Sequence, residues 1–160
     1  MNPEKVVIIG GVAAGTKAAA KAKRENPDLK VTVLTRDRHV SYAGCGLPYY
    51  IGDVIKEEKE LLVRQPEDFL IDYDIEVITG MEALKIMPEE KTVTVKDLTT
   101  GDIRNFAYDK LVLATGASPF IPPVEGKGLG KVVTVRTVSE ANAIKNLINE
   151  RDIQEAVVVG

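Results

Sequence analysis

"KVVIIGGVAAGTKAAA", residues 5–20, is the stretch whose reading decides the fold. Lys5 to Ile9 is a short β-branched run that stops at Gly10-Gly11, the pattern of a buried parallel strand. Ala13 to Glu25 is rich in alanine and lysine, and Pro27 marks its end, so it reads as a helix. "KVTVL", residues 30–34, is a second strand. Strand, helix and strand within about 30 residues make the βαβ unit that opens a doubly wound sheet.

Gly10 and Gly15 hold the outer positions of a G-x-G-x-x-G turn, with Val12 in the middle. The first glycine permits a tight turn, and the last lets the helix pack closely on the strand. The helix start then presents unpaired N–H groups and a positive dipole end, an environment suited to a pyrophosphate. An acid that holds a ribose is expected about 20 residues further on. Position 35 is threonine, which accepts one hydrogen bond but brings no charge. Asp37 lies close by in sequence.

Further along, Pro66 to Phe69 reads as the start of a small helix with acids in its first turn. From 75 to 107 the pattern changes to alternation: "IEVIT", "EALKIM", "KTVTVKDL" and "DIRNFAY". Turns at Pro88-Glu89-Glu90 and Thr100-Gly101-Asp102 join these into an expected antiparallel meander. "KLVLAT", 110–115, returns to a buried parallel strand that ends at Gly116. Residues 118–130 are a proline- and glycine-rich connector. "SEANAIKNLINE", 139–150, is a helix with Ser139 as its expected N-cap. The closing "AVVVG" reads as a strand meeting its first glycine, so a further βαβ unit is expected to begin at 155–160 and the chain is expected to be part of a longer protein. The domain reading is therefore 1–117 as one α/β domain with 75–107 inserted, 118–154 as connector and helix, and 155–160 as a new start.

The 160 residues carry 44% hydrophobic and 28% charged residues, ordinary for one soluble domain. A net charge of −3 gives no reason to propose nucleic acid or an acidic membrane as partner. No apolar run approaches the roughly 18 residues a membrane span needs. One cysteine, Cys45, excludes an internal disulfide framework and suits a reducing cytoplasm. The one histidine, His39, reads most simply as a polar loop residue.

Three stretches, "VVIIGGVAAGTKAA", "SYAGCGLPYYIG" and "YDKLVLATGASPFIPP", together resemble the flavin-dependent pyridine nucleotide-disulfide oxidoreductases. The likeness is to the single-cysteine branch with coenzyme A-disulfide reductase, NADH:polysulfide reductase, and NADH oxidase and peroxidase. It implies a Rossmann-like FAD-binding domain, a parallel sheet carrying an inserted antiparallel β-meander, that uses NAD(P)H in the full-length protein. It places cofactor contacts at Gly10, Gly11, Val12, Ala13, Ala14, Gly15, Ser41, Ala114, Thr115 and Gly116. The adenine contact falls at Glu82 and Ala83, the ribose contact at Thr35 with Arg36, and a further cofactor arginine at Arg136. The resemblance also implies a homodimer at full length.

Cys45 stands between Gly44 and Gly46, which remove side-chain bulk and so would let a flavin ring lie on one side and a substrate sulfur on the other. Without a second adjacent cysteine it has to cycle through a mixed disulfide, a persulfide or a sulfenic acid. A short helix starting at this segment, with Pro48 near its start, would favour the thiolate. Lys17, Lys21 and Arg24 share one face of the first helix and form a positive stripe able to meet coenzyme A phosphates. With Ser41 and Gly44 they complete the expected substrate surface. In that enzyme a further lysine contact falls near Tyr73, where this chain has no charge. The reading ranks reduction of a coenzyme A disulfide or persulfide first. NADH oxidase or peroxidase chemistry through a Cys45 sulfenic acid comes second, and a non-catalytic flavin-binding module is the reading from another class.

Overall fold

The computed structural model describes residues 2–128, 132–151 and 153–159. Among the described residues, seven strands and four α-helices follow in order: β1 Lys5–Ile9, α1 Ala13–Glu25, β2 Lys30–Leu34, α2 Leu47–Ile51, α3 Pro66–Tyr73, β3 Ile75–Ile78, β4 Met81–Met87, β5 Thr92–Asp97, β6 Ile103–Ala107, β7 Lys110–Leu113 and α4 Val138–Arg151. The chain forms two compact units, Met1–Tyr42 with Leu62–Gly116, and Ala43–Leu61 with Ala117–Gly160. Among the described residues no helix is long and apolar enough to cross a membrane.

The first unit is built on a parallel sheet in the order β3-β2-β1-β7. Alternation sends the side chains of β1 to opposite faces. Val6 and Ile8 pack with Ala19 of α1, Val31, Val33, Phe69 and Ile75. Val7 and Ile9 pack on the other face with Val93 and Val95 of the antiparallel sheet β4-β5-β6. Successive connections place β2 and β3 on one side of β1 and β7 on the other. The order reverses beside β1, and the strand ends there open the crevice in which α/β sheets take ligands.

The expected meander is shorter than 75–107. Residues 75–78 form β3, which pairs in parallel with β2 rather than antiparallel with β4. Asp74, in the left-handed conformation at the end of α3, turns the chain, and Ile75 is fully buried in the parallel sheet. Alternation alone does not say which sheet a short strand joins. β7 ends at Leu113, two residues earlier than expected.

In the second unit α4 begins at Val138. Its start is held not by Ser139 but by Thr137, whose hydroxyl accepts the Glu140 N–H while the Glu140 carboxylate accepts the Thr137 N–H. This reciprocal pair leaves Val138 and Ala141 fully buried. The expected strand near 155–159 does not form. Val157, Val158 and Val159 are each 90% exposed and join no ladder among the described residues. An extended segment without a partner has no hydrogen bonds to define it as a strand. Gly160 and positions 129–130 of the connector lie outside the described residues.

Candidate functional site

Gly10 closes the end of β1 with φ +117°. A Cβ there would lie 2.1 Å from the Ala114 carbonyl oxygen, and one on Gly15 would lie 1.8 Å from the Gly10 carbonyl oxygen. Both positions require glycine because backbone meets backbone. Gly11 is pressed against Thr35 and Val40, where a Cβ would stand 2.9 Å from the Thr35 Cβ. The turn delivers the chain into α1, whose N-cap, Val12, provides no side-chain hydrogen bond. No acid stands in the first turn of α1. The N–H groups at Ala13 and Ala14 begin a helix that no side chain caps, an arrangement suited to an anion.

The other expected cofactor residues of this unit converge on the same sheet end. The Gly10 N–H donates to Leu34 O at 2.8 Å, and the Ser41 N–H donates to Gly11 O at 2.9 Å. Ser41 adopts φ +48°, a left-handed conformation unusual outside glycine. Thr35, at the end of β2, is 5% exposed and accepts the Met81 N–H at 2.9 Å. That bond sets Glu82 and Ala83 beside it, and Arg36 stands 3.8 Å from Glu82. Ala114 donates its N–H to Ile9 O at 2.8 Å, and Gly116 turns at φ +68°. Segments far apart in sequence, 10–15, 35–36, 41, 82–83 and 114–116, thus meet at the carboxyl end of the parallel strands.

Asp37 is committed locally, accepting the His39 N–H at 3.0 Å. His39 lies in a loop as expected, and its side chain is largely buried with Nδ1 3.5 Å from Asp37 Oδ1.

Within the second unit, Cys45 is exposed in a turn of 3₁₀ helix, Gly44–Gly46, that runs into α2. The expected short helix is present, with Pro48 in its first turn, but it starts two residues after the thiol and is one short turn. The two glycines do different things. Gly44 is exposed, whereas Gly46 is buried under Leu61, where a Cβ would come within 2.8 Å of Cδ2. Gly46 therefore makes room for a core side chain of its own unit rather than for a ligand. Arg136 donates Nε–H to the Ala117 carbonyl at 3.2 Å, and its own N–H to Glu140 at 2.6 Å.

Lys17, Lys21 and Arg24 are all exposed on α1 as expected. Lys21 is paired with Glu25 one turn on, which takes up part of the stripe's charge. Arg24 and Tyr73 line one open cavity of about 370 Å³ with Lys23 and Asp74. Lys23 escaped the sequence reading. It is buried and donates to Asp74, 2.8 Å away, and to the Pro27 and Leu29 carbonyls. The hydrogen bond and charge of Lys23 hold the Asp74 carboxyl below the usual range. A lysine on the inward side of the α1 pattern, one residue before the arginine of the stripe, is the signal that marks it.

A profile described as pyridine nucleotide-disulphide oxidoreductase matches residues 4–160. An NADH oxidase of Methanocaldococcus jannaschii is 35% identical over 98% of this chain and 35% of its own length. A coenzyme A disulfide reductase of Staphylococcus haemolyticus is 34% identical, with 98% and 35% covered. The solved NAD-dependent persulfide reductase of A. fulgidus superposes with TM-score 0.85 at 38% identity, over 92% of this chain and 27% of that one. The chain spans about a third of the length of these curated relatives.

Proposed function

The chain belongs to the pyridine nucleotide-disulphide oxidoreductase family, and we propose that it supplies the FAD-binding and thiol-bearing elements of an NAD(P)H-dependent flavoprotein that reduces a disulfide or persulfide through Cys45. One observation carries the reading. The glycine turn, the Thr35–Arg36 pair, the Glu82–Ala83 pair and Ala114–Gly116 meet at a single sheet end.

These residues fit an adenine dinucleotide. A backbone-closed turn and an uncapped helix start suit a pyrophosphate, with Gly10, Gly11, Val12, Ala13, Ala14 and Gly15 as its cradle. Thr35 and Arg36 would hold the ribose, Glu82 and Ala83 the adenine, and Ser41, Ala114, Thr115, Gly116 and Arg136 the remainder. Bound FAD would take a hydride from NAD(P)H and supply two electrons to sulfur. The chain's own part is at Cys45. Its thiolate attacks one sulfur of the substrate, forming a mixed disulfide and releasing the other sulfur as a thiolate. Gly44 leaves that approach open. Lys17, Lys21 and Arg24 would meet the phosphates of a coenzyme A substrate, with Arg24 at the mouth of the cavity shared with Tyr73. A homodimer and a cytoplasmic setting belong to the same proposal.

The likeness to an NADH oxidase favours a second reading, in which Cys45 is oxidised to a sulfenic acid by peroxide or oxygen. The test begins with the purified chain. It should carry a visible flavin spectrum, and partial reduction should raise a long-wavelength absorbance that Cys45→Ser abolishes. Absence of flavin after reconstitution sinks the cofactor assignment. NADH consumption with coenzyme A disulfide, polysulfide, peroxide or oxygen, by a protein of the relatives' full length, then selects the acceptor.

A further inference from the structure

Cys45 is exposed, so few neighbours of its own fix the thiol; its backbone does. The 3₁₀ turn Gly44–Gly46 continues without a break into α2, and the whole segment Ala43–Leu61 closes on itself where the Ala43 N–H donates to Leu61 O at 2.8 Å. What remains to be set is the orientation of α2. It is set from α4, a helix that arrives much later in the chain.

Tyr50, near the end of α2, donates its hydroxyl to Asn142 Oδ1 at 2.8 Å, across 92 positions of sequence. Asn142 passes the interaction on, its Nδ2 donating to Glu58 Oε2 on the return limb of the segment. Three residues further along the same face of α4, Lys145 Nζ donates to Asp53 Oδ1 at 2.8 Å and lies 4.1 Å from the Tyr50 ring centroid. The Lys145 side chain is only 16% exposed, whereas Asp53 is 62% exposed. A long side chain has thus been drawn out of water to reach across the ring. Asp53 itself sits at φ +59°, a conformation that is costly for a residue with a Cβ. The Lys145 hydrogen bond and charge hold its carboxyl below the usual range. Tyr50 therefore donates a hydrogen bond from its rim and takes a cation on its face, both partners standing on α4.

We propose that Asn142 and Lys145 are positioning residues for the Cys45 thiol, acting through Tyr50 and Asp53 to hold α2 and the turn that carries the sulfur. The functional part of this rests on Cys45 being the reactive thiol. The geometric part does not, and it can be read separately. Tyr50 is 8% exposed and Val138 and Ala141 are fully buried, so packing of α4 survives removal of the polar links.

The experiment uses the chain's single cysteine as its own reporter. A nitroxide methanethiosulfonate label on Cys45 should give a single ordered line shape, that of an exposed site on a rigid helical turn, in the wild-type chain. Asn142→Leu combined with Lys145→Met should add a mobile component, and iodoacetamide alkylation of Cys45 should accelerate about threefold, the scale of one cation–π contact. Lys145→Arg keeps both the charge and the ring contact and should restore the wild-type line shape. Far-UV circular dichroism checks the fold. Should the double variant not fold, Tyr50→Phe and Lys145→Met carry the same comparison singly. An unchanged line shape in folded variants overturns the proposal, as does a Lys145→Arg chain as mobile as Lys145→Met. A chain that binds no FAD yet shows the label response keeps the positioning role and refutes the electron-transfer reading. A flavin-binding chain with an unresponsive label does the reverse.

Discussion

The turn at Gly10–Gly15 and the turn at Gly44–Gly46 are both written in glycine, yet they are held by opposite means. In the first, each outer glycine faces a backbone carbonyl that has nowhere to go. In the second, Gly46 faces the methyl end of Leu61, and the adjoining helix is fastened by side chains of α4. Backbone closure yields one geometry set by strand and helix together. Side-chain fastening yields a geometry that individual substitutions can loosen. In the proposed function a dinucleotide would gain from the first, because backbone N–H groups have to stand still, and a thiol that meets several partners in turn would be served by the second.

The hardest way to break the contrast is Gly10→Ala. Its Cβ would lie 2.1 Å from a carbonyl oxygen at φ +117°, so relief requires β1 and β7 to part. We expect a loss of at least about 3 kcal/mol in urea denaturation, with loss of flavin retention. A stable, flavin-retaining Gly10→Ala chain would mean that backbone closure does not define this turn.

Gly46→Ala should be milder, about 1–3 kcal/mol, because the obstruction is a side chain able to shift. Combined with Leu61→Val it should cost less than the sum of the two single changes, and a double-mutant cycle measures that coupling. Strict additivity would show that the two do not meet as described.

The smallest effect is a pH dependence that separates the two kinds of anchor. The Asp97 carboxyl in the first unit is held below the ordinary range by the N–H groups of Thr99 and Thr100, while Asp53 in the second is held down by Lys145. Both groups take up protons more readily in the unfolded chain, with its ordinary carboxylate value of about 3.9. Each therefore contributes stability that is fully present above that value and is lost as pH falls through the depressed folded value. Melting midpoints followed from pH 6 to pH 3 should drop less steeply in Asp97→Asn and in Asp53→Asn. Added salt should weaken the Asp53 contribution, which rests on the Lys145 ion pair, more than that of Asp97, held first by the Thr99 and Thr100 N–H groups and less by the charge of Arg104 3.3 Å away. Equal salt sensitivity would erase the distinction.

The same contrast explains what could be read in advance. β1, α1 and β2 were legible to the residue because a β-branched run, two glycines and an alanine-rich stretch are local signals. Ile75–Ile78 was assigned to the wrong sheet because its alternation suits either neighbour, and only pairing with β2 decides. Ser139 is the hydroxyl residue that opens the helical pattern, but Thr137 two positions earlier is the one that closes a reciprocal pair with Glu140. Gly46 was read as clearance for a ligand because the sequence does not show that Leu61 fills that space. The polar links from Asn142 and Lys145 to α2 left no trace in any window, since their partners lie some ninety residues earlier.

From the order of residues alone came a parallel α/β sheet, a glycine turn opening onto a helix, and one uncrowded thiol in an unusual setting. Those features depend on neighbours within a few positions, where steric limits and periodicity act directly on the chain. The tertiary structure alone decided which strand joins which sheet, that Thr35, Glu82 and Ala114 share the sheet end with Gly10, and that α4 holds the thiol's helix. Each of these is a contact between distant segments, and its free energy exists only once both surfaces have left water together.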